Sequence, residues 1–142
     1  MNLSKDTKFT GVQAPLASGG TDLASTYVDM SAFDGVIFCG YLGTAGATDV
    51  ATLAAWGSTS TGSTGTAISG ATVSSSAGED DKLFLLDISR PRTRYVKTHI
   101  TRSAAVEYGG TIAQQYGPRY RPTTHTAATL AAAAVLKVPQ TT

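Results

Sequence analysis

The chain has 142 residues, enough for one domain with a single sizeable core. Its 42% apolar content is too high for a disordered chain, yet no window approaches the ~20 uninterrupted apolar residues of a membrane-spanning helix. The net charge of +1 conceals an uneven distribution. Residues 1–89 carry three lysines against nine acids, whereas residues 90–121 carry six arginines and Lys97 against Glu107 alone. Such a chain can pair with itself, with copies of itself, or with a separate acidic partner.

In chain order, the opening "MNLSKDTKFTG" has no apolar stretch behind its lysines, so no secretory signal is expected and the product should stay soluble where it is made. Gly, Ser, Thr and Ala dominate while Glu, Lys and Leu are scarce, which favours strands over surface helices. Strands are predicted at 8–15, 24–30, 35–43, 50–57, 70–75, 82–89, 94–102 and 105–117, with "FDG" and "GEDD" as the clearest turns. Eight short strands without a helix between them point to an all-β chain of two antiparallel sheets, a jelly-roll-like sandwich over residues 1–122.

Two strands, "GVIFCGYLG" and "KLFLLDIS", are apolar on both faces instead of alternating. Either their outer face is covered by a second subunit, a partner or the chain's own tail, or they are central strands under a folded-over loop. The predicted core is Val36, Phe38, Leu83, Phe84, Leu85, Leu86 and Val96, with Trp56 at least half buried. Cys39, the one cysteine, excludes an internal disulfide and reads as a small buried apolar residue. Between Trp56 and Asp80 the chain has almost no large side chains, so a long surface loop with at most one weak strand is expected. Beyond "RYRPTT", a hinge, residues 123–142 form an Ala-rich arm whose apolar content suits docking on something.

Catalysis finds little support. His99 sits mid-strand among Tyr95, Lys97 and Thr101 on what composition makes a wet face, and His125 has no acid or cysteine near it in sequence. No metal-ligand spacing occurs, and Glu79, Asp80 and Asp81 form a solvated turn without the alternation of a calcium loop. "GTAGATD" lacks the Lys-Ser/Thr of a phosphate loop, no serine lies in G-x-S-x-G, and the Asn2-Leu3-Ser4 sequon is a chance match. The chain is therefore expected to be no enzyme and to need no cofactor or metal.

The remaining feature is a ladder of cations. Arg90, Arg92 and Arg94 would line one edge if the chain were extended there, and Pro91 suits a corner or an edge strand. Nucleic-acid binding would call for a strong net positive charge, which this chain lacks, so it is not expected. Arginines forked onto the carboxylates of a neighbouring protein fit the charge split better.

Three segments carry a resemblance. "YVDMSAFDGVIFCGYLGT" (27–44) is similar to the Asp-Met-Ser-x-(Tyr/Phe)-Asp-Gly-Val opening of small virion proteins encoded beside the major capsid gene of tailed phages. "DISRPRTRYVKTHITR" (87–102) and "AQQYGPRYRP" (113–122) resemble their Arg-Pro-x-x-Arg-Tyr-Val and Tyr-Gly-x-Arg-x-x-Pro segments. The sequence resembles capsid cement (decoration) proteins, most of all those of short-tailed phages of the Bordetella phage type. The resemblance implies a jelly-roll-like protein, made in the host cytoplasm, that clamps major capsid subunits on the outside of a phage head. Its partners would be the major capsid protein and copies of itself, a dimer before a trimer, with no membrane involved. The expected interface is Arg90, Arg92, Arg94, Arg119, Tyr120 and Arg121 for charge and register, with Leu130, Val135, Leu136 and Val138 of the arm lying on a neighbouring subunit for affinity. Alternatives are another virion part, such as a tail or head-tail connector subunit, or a carbohydrate-binding β module; a single Trp and no visible cluster of exposed aromatics speak against the last.

Overall fold

A computed structural model describes residues 3–126 and 128–132. A four-residue helix, α1 (Leu3–Asp6), precedes ten strands: β1 (Lys8–Gln13), β2 (Leu16–Gly19), β3 (Leu23–Ala24), β4 (Val28–Asp29), β5 (Gly35–Ala45), β6 (Ala51–Ser58), β7 (Thr66–Ser74), β8 (Lys82–Ser89), β9 (Tyr95–Arg102) and β10 (Val106–Tyr116). They form two antiparallel sheets. Sheet A runs β1-β10-β5-β8, with β2 also on β10; sheet B runs β3-β9-β6-β7, with β4 also on β9. With β1/β2 and β3/β4 each taken as one interrupted strand, first pairs with last and second with next-to-last. That is the order of a jelly roll, two Greek keys folded face to face.

The alternation of the strands explains the core. On β5 and β8, Val36, Phe38, Leu42, Phe84, Leu86 and Ile88 point between the sheets and are buried. They meet Leu53, Ala55, Val96 and Ile100 of sheet B. Tyr108 is fully buried and its hydroxyl pairs with that of Thr111; burial pushes its pKa up to about 12. Its ring lies against Gly40, where a Cβ would collide with the phenol oxygen. Gly110, at φ +97°, makes the bulge that shifts the β10 register between Tyr108 and Thr111.

Several expectations are corrected. Leu83 and Leu85 are 61% and 62% exposed, because the strict period of β8 sends them outward while Phe84 and Leu86 go in. Cys39 is only partly buried, on the outer face of sheet A. The strand expected at 24–30 is two short ladders: at Ser25 the side chain takes over, its Oγ accepting from Thr98 N at 2.9 Å. The loop after Trp56 contains the nine-residue strand β7, paired with β6 through small side chains. Lys97 is not wet but 8% exposed, its ammonium 4.6 Å from the centre of the Tyr27 ring.

The hinge and the first part of the arm contact their own sandwich. Arg121 pairs with Asp6 at 3.2 Å, Thr123 N donates to Lys5 O at 2.9 Å, and Thr123 Oγ1 donates to Thr7 O at 2.6 Å. His125 is a clamp. Its Nδ1 accepts from Phe9 N at 3.2 Å and its Nε2 faces Ser4 O at 2.8 Å, which assigns the neutral Nε2–H tautomer. The segment thereby satisfies Phe9 N on the open edge of β1. Leu130 is partly buried, and Val135, Leu136 and Val138 lie outside the described residues.

Candidate partner-binding surfaces

Three surfaces are built by the sequence features singled out above. The first is an arginine corner at one end of the sandwich. The chain leaves β8 at Ser89 and turns at Arg90, which adopts φ +50°, a left-handed conformation that is costly for a residue with a Cβ. Arg90 N donates to Asp34 O at 2.7 Å, and Arg119 N donates to Ala32 O at 2.9 Å, so backbone bonds hold the corner against the β4–β5 turn and the end of the sandwich chain. Because the chain turns at Arg90, the three arginines do not share one strand edge.

Their roles separate. Arg94 turns to Asp29: Nε lies 3.0 Å from Oδ1 and Nη2 2.7 Å from Oδ2, a two-pronged fork. That bond, helped by the hydrogen bond from Ser31 N and opposed by burial, holds the Asp29 pKa down at about 2. The same guanidinium lies 5.0 Å from the centre of the Tyr95 ring. Arg121 is likewise taken by Asp6. Arg102, at the far end of β9, is buried and donates through Nη1 to Ala17 O and Val106 O and through Nε to Thr21 O; it ties a sheet B strand to β2 and β10. Among the described residues Arg90, Arg92 and Arg119 form no ion pair. They open onto a groove of about 410 Å³ with Met30, Ser31, Phe33 and Asp34. A second hollow of about 700 Å³ shares Arg90 and Arg92 and is otherwise lined largely by Ser, Thr and Gly of the β6–β7 connection. Tyr120 stands beside the corner in sequence and is 82% exposed.

The second surface is the outer face of sheet A. Register places Leu85 opposite Cys39 and Cys39 opposite Ile112, with Leu83 opposite Tyr41 in the next row. Leu83, Leu85, Tyr41 and Ile112 are all exposed, so the strands apolar on both faces do present an uncovered apolar stripe. The third is the outer face of sheet B, where Trp56 stacks against His99 at 5.6 Å and Tyr27 meets Tyr95 edge-on at 6.3 Å. The sequence reading missed this gathering, since it depends on the pairing Trp56↔Lys97 across residues far apart in the chain. The signal was the period-2 run Tyr95, Lys97, His99. Tyr27 is engaged, its hydroxyl donating to Ser63 O at 2.9 Å.

Among the described residues no three His, Cys, Asp or Glu side chains converge as metal ligands. The fold and these surfaces define a jelly-roll β-sandwich that presents a charged corner and broad sheet faces.

Comparison with known proteins finds likeness only among solved structures. No family model matches the sequence, and no curated protein matches it. Among solved structures, the chain is similar to the PBSX exported protein XepA, with a TM-score of 0.54 and 16% identity over 100% of this chain. It spans 43% of the length of that protein. It is also similar to a structure of infectious bursal disease virus Gt strain (TM-score 0.47, 15% identity, 82% of this chain and 34% of that one). A Bacillus endospore appendage pilus protein gives a TM-score of 0.47 at 19% identity, covering 80% of this chain and 90% of that one. At 16% identity the likeness to XepA is one of fold.

Proposed function

We propose that this chain is a structural, non-enzymatic virion protein, a capsid cement protein that binds the outside of a phage head through its arginine corner and stabilises contacts between major capsid subunits. One observation carries the reading. The groove at the corner is lined by Met30, Ser31, Phe33 and Asp34, by Arg90 to Arg94, and by Arg119. Every one of these residues comes from the three segments that carry the resemblance to cement proteins, 27–44, 87–102 and 113–122. Segments far apart in sequence meet there in a shared surface, and its three arginines, in no ion pair among the described residues, are suited to carboxylates of a shell. Arg94 and Arg121 are spent within the chain, so the candidate interface narrows to Arg90, Arg92 and Arg119, with Tyr120 beside them.

At an exposed rim each such pair is worth ~0.2–1 kcal/mol and is screened by salt. The test is cosedimentation of the purified protein with heads lacking it. Replacing Arg90, Arg92 and Arg119 together by Ala should weaken binding several-fold to about a hundred-fold at low salt, with the gap closing as salt rises. Equal binding by the triple variant at every salt concentration would remove the corner from the interface. Failure of the unaltered protein to bind heads at all would remove the cement reading.

A further inference from the structure

The larger hollow at the arginine corner, about 700 Å³, lies between the end of β8 and the β6–β7 connection. We propose that it binds a carboxylate-bearing saccharide. Arg90 and Arg92 take the carboxylate, and the hydroxyls of Thr59, Thr66 and Ser69 take hydroxyls of the sugar. The inference goes beyond the cement reading and does not rest on it, because Thr59, Thr66 and Ser69 line this hollow and not the groove.

The polar groups set the class of ligand. None of the described lining residues is acidic or aromatic, and the guanidinium groups of Arg90 and Arg92 form no ion pair among the described residues. Their planar forks match a carboxylate in two-pronged fashion. The hydroxyls of the lining divide into two sets. Ser58 donates to Ser60 O at 2.7 Å, Ser63 Oγ accepts from Gly65 N at 3.2 Å, and Thr93 donates to Tyr95 O at 3.4 Å. Thr59, Thr66 and Ser69 are exposed, and their hydroxyls make no hydrogen bond among the described residues. A hydroxyl both donates and accepts, so each of the three can meet a sugar hydroxyl in either sense. An acidic peptide would engage the arginines and leave that set of hydroxyls without a counterpart. Buried Ile88 and partly buried Ile68 supply the apolar contact. With no ring to stack on, binding at a single site should be weak.

The walls are held in place before a ligand arrives. Gly57 lets the corner close onto β6, since a Cβ there would collide with Thr93 Oγ1. The Tyr27 hydroxyl, donating to Ser63 O at 2.9 Å, pins the loop that leads into β7. Arg90 N, donating to Asp34 O at 2.7 Å, fixes the turn at φ +50°. Strain of that kind persists where the surroundings over-determine it, and such positions cluster at ligand sites. The volume falls within the ~300–1,000 Å³ of small-ligand sites.

The test is a backbone-amide NMR titration of the full chain with trigalacturonate at low salt. Saturable shifts are expected at residues 66–69 and 89–93, with no comparable shift from neutral maltotriose. Arg92→Ala should weaken binding at least about fivefold, the scale of one charge-assisted fork. Thr66→Val combined with Ser69→Ala should weaken it at least about threefold, the scale of lost neutral hydrogen bonds, and the spectrum itself reports that the variant is folded. The same double variant should sediment with heads as the unaltered protein does, so loss of the saccharide site and loss of the cement reading are read separately. Absence of saturable shifts at residues 66–69, or equal binding of maltotriose, would overturn the proposal. Triglutamate binding as tightly as trigalacturonate would also overturn it and assign the hollow to an acidic peptide.

Discussion

The two outer faces of the sandwich come from strands of similar length and opposite treatment. On sheet B, cross-strand neighbours cover one another: Lys97 over Tyr27, Trp56 against His99, Arg94 forked onto Asp29 and stacked on Tyr95, Thr52 hydrogen-bonded to Ser74. Long stems and rings lie along the sheet, and the polar ends find partners. On sheet A the outward residues of β8 are Leu83 and Leu85, and nothing among the described residues covers them. A face that closes on itself is finished by folding. A face left apolar stays open among the described residues, with Leu83, Leu85, Tyr41 and Ile112 exposed. The two faces should therefore answer differently to mutation.

The largest contrast lies within one strand. Phe84 is 7% exposed and belongs to the inner core with Leu42, Val106 and Tyr108. Phe84→Ala should cost ~3–5 kcal/mol in denaturant unfolding, through lost transfer energy and the cavity left behind. Leu85→Ala, one residue along on the outer face, should cost under about 1 kcal/mol. Similar losses for the two would mean that the outer face of sheet A is as closed as the core.

Lys97 tests the other face. Lys97→Met keeps most of the stem and removes the charge, so the loss isolates the interaction with the Tyr27 ring. A cost of about 0.5–2 kcal/mol is expected, the upper end reflecting the burial of the ammonium. A neutral or stabilising substitution would show that sheet B is closed by packing of the stem alone.

Much of this architecture was legible in the sequence, and what was not has identifiable causes. The strand at 82–89 was placed with its observed bounds, because a charged turn precedes it and a proline follows it. The jelly-roll-like sandwich followed from the number and spacing of strands. The facing of Leu83 and Leu85 did not, because a strand apolar on both sides has no period to read. β7 was underestimated since Ser, Thr, Gly and Ala give weak strand signals, and its partner β6 supplies the pairing. At the candidate site, composition marked the arginines but could not divide them. Spacing of two implies a shared edge only in extended chain, and Arg90 leaves it. That Arg94 belongs to Asp29 depends on the pairing of Asp29 with Tyr95 across 66 positions of sequence, which only the register between β4 and β9 reveals.

The smallest expected effect concerns that pair, and pH separates it from the rest of sheet B. Folded Asp29 holds its pKa at about 2, below the ordinary 3.8, chiefly through the hydrogen bonds from Arg94. The unfolded chain therefore takes up this proton first as pH falls, so the pair's contribution is complete above about pH 5 and disappears as pH falls through 2. Its size is limited, because the two side chains are 55% and 41% exposed and solvent screens them; ~0.2–1 kcal/mol is the appropriate scale. Asp29→Asn keeps an oxygen for Ser31 N and a similar shape, and removes the charge that the guanidinium grips. Urea midpoints of the two proteins should differ by that small amount at pH 7, and the difference should close on approach to pH 2. It should also narrow in 1 M salt, where the screening length is ~3 Å. A gap that persists unchanged at pH 2 would mean that the fork acts through shape rather than charge. Sheet B would then be closed at that corner by packing, and Arg94 would be as free in its electrostatics as Arg90 and Arg92.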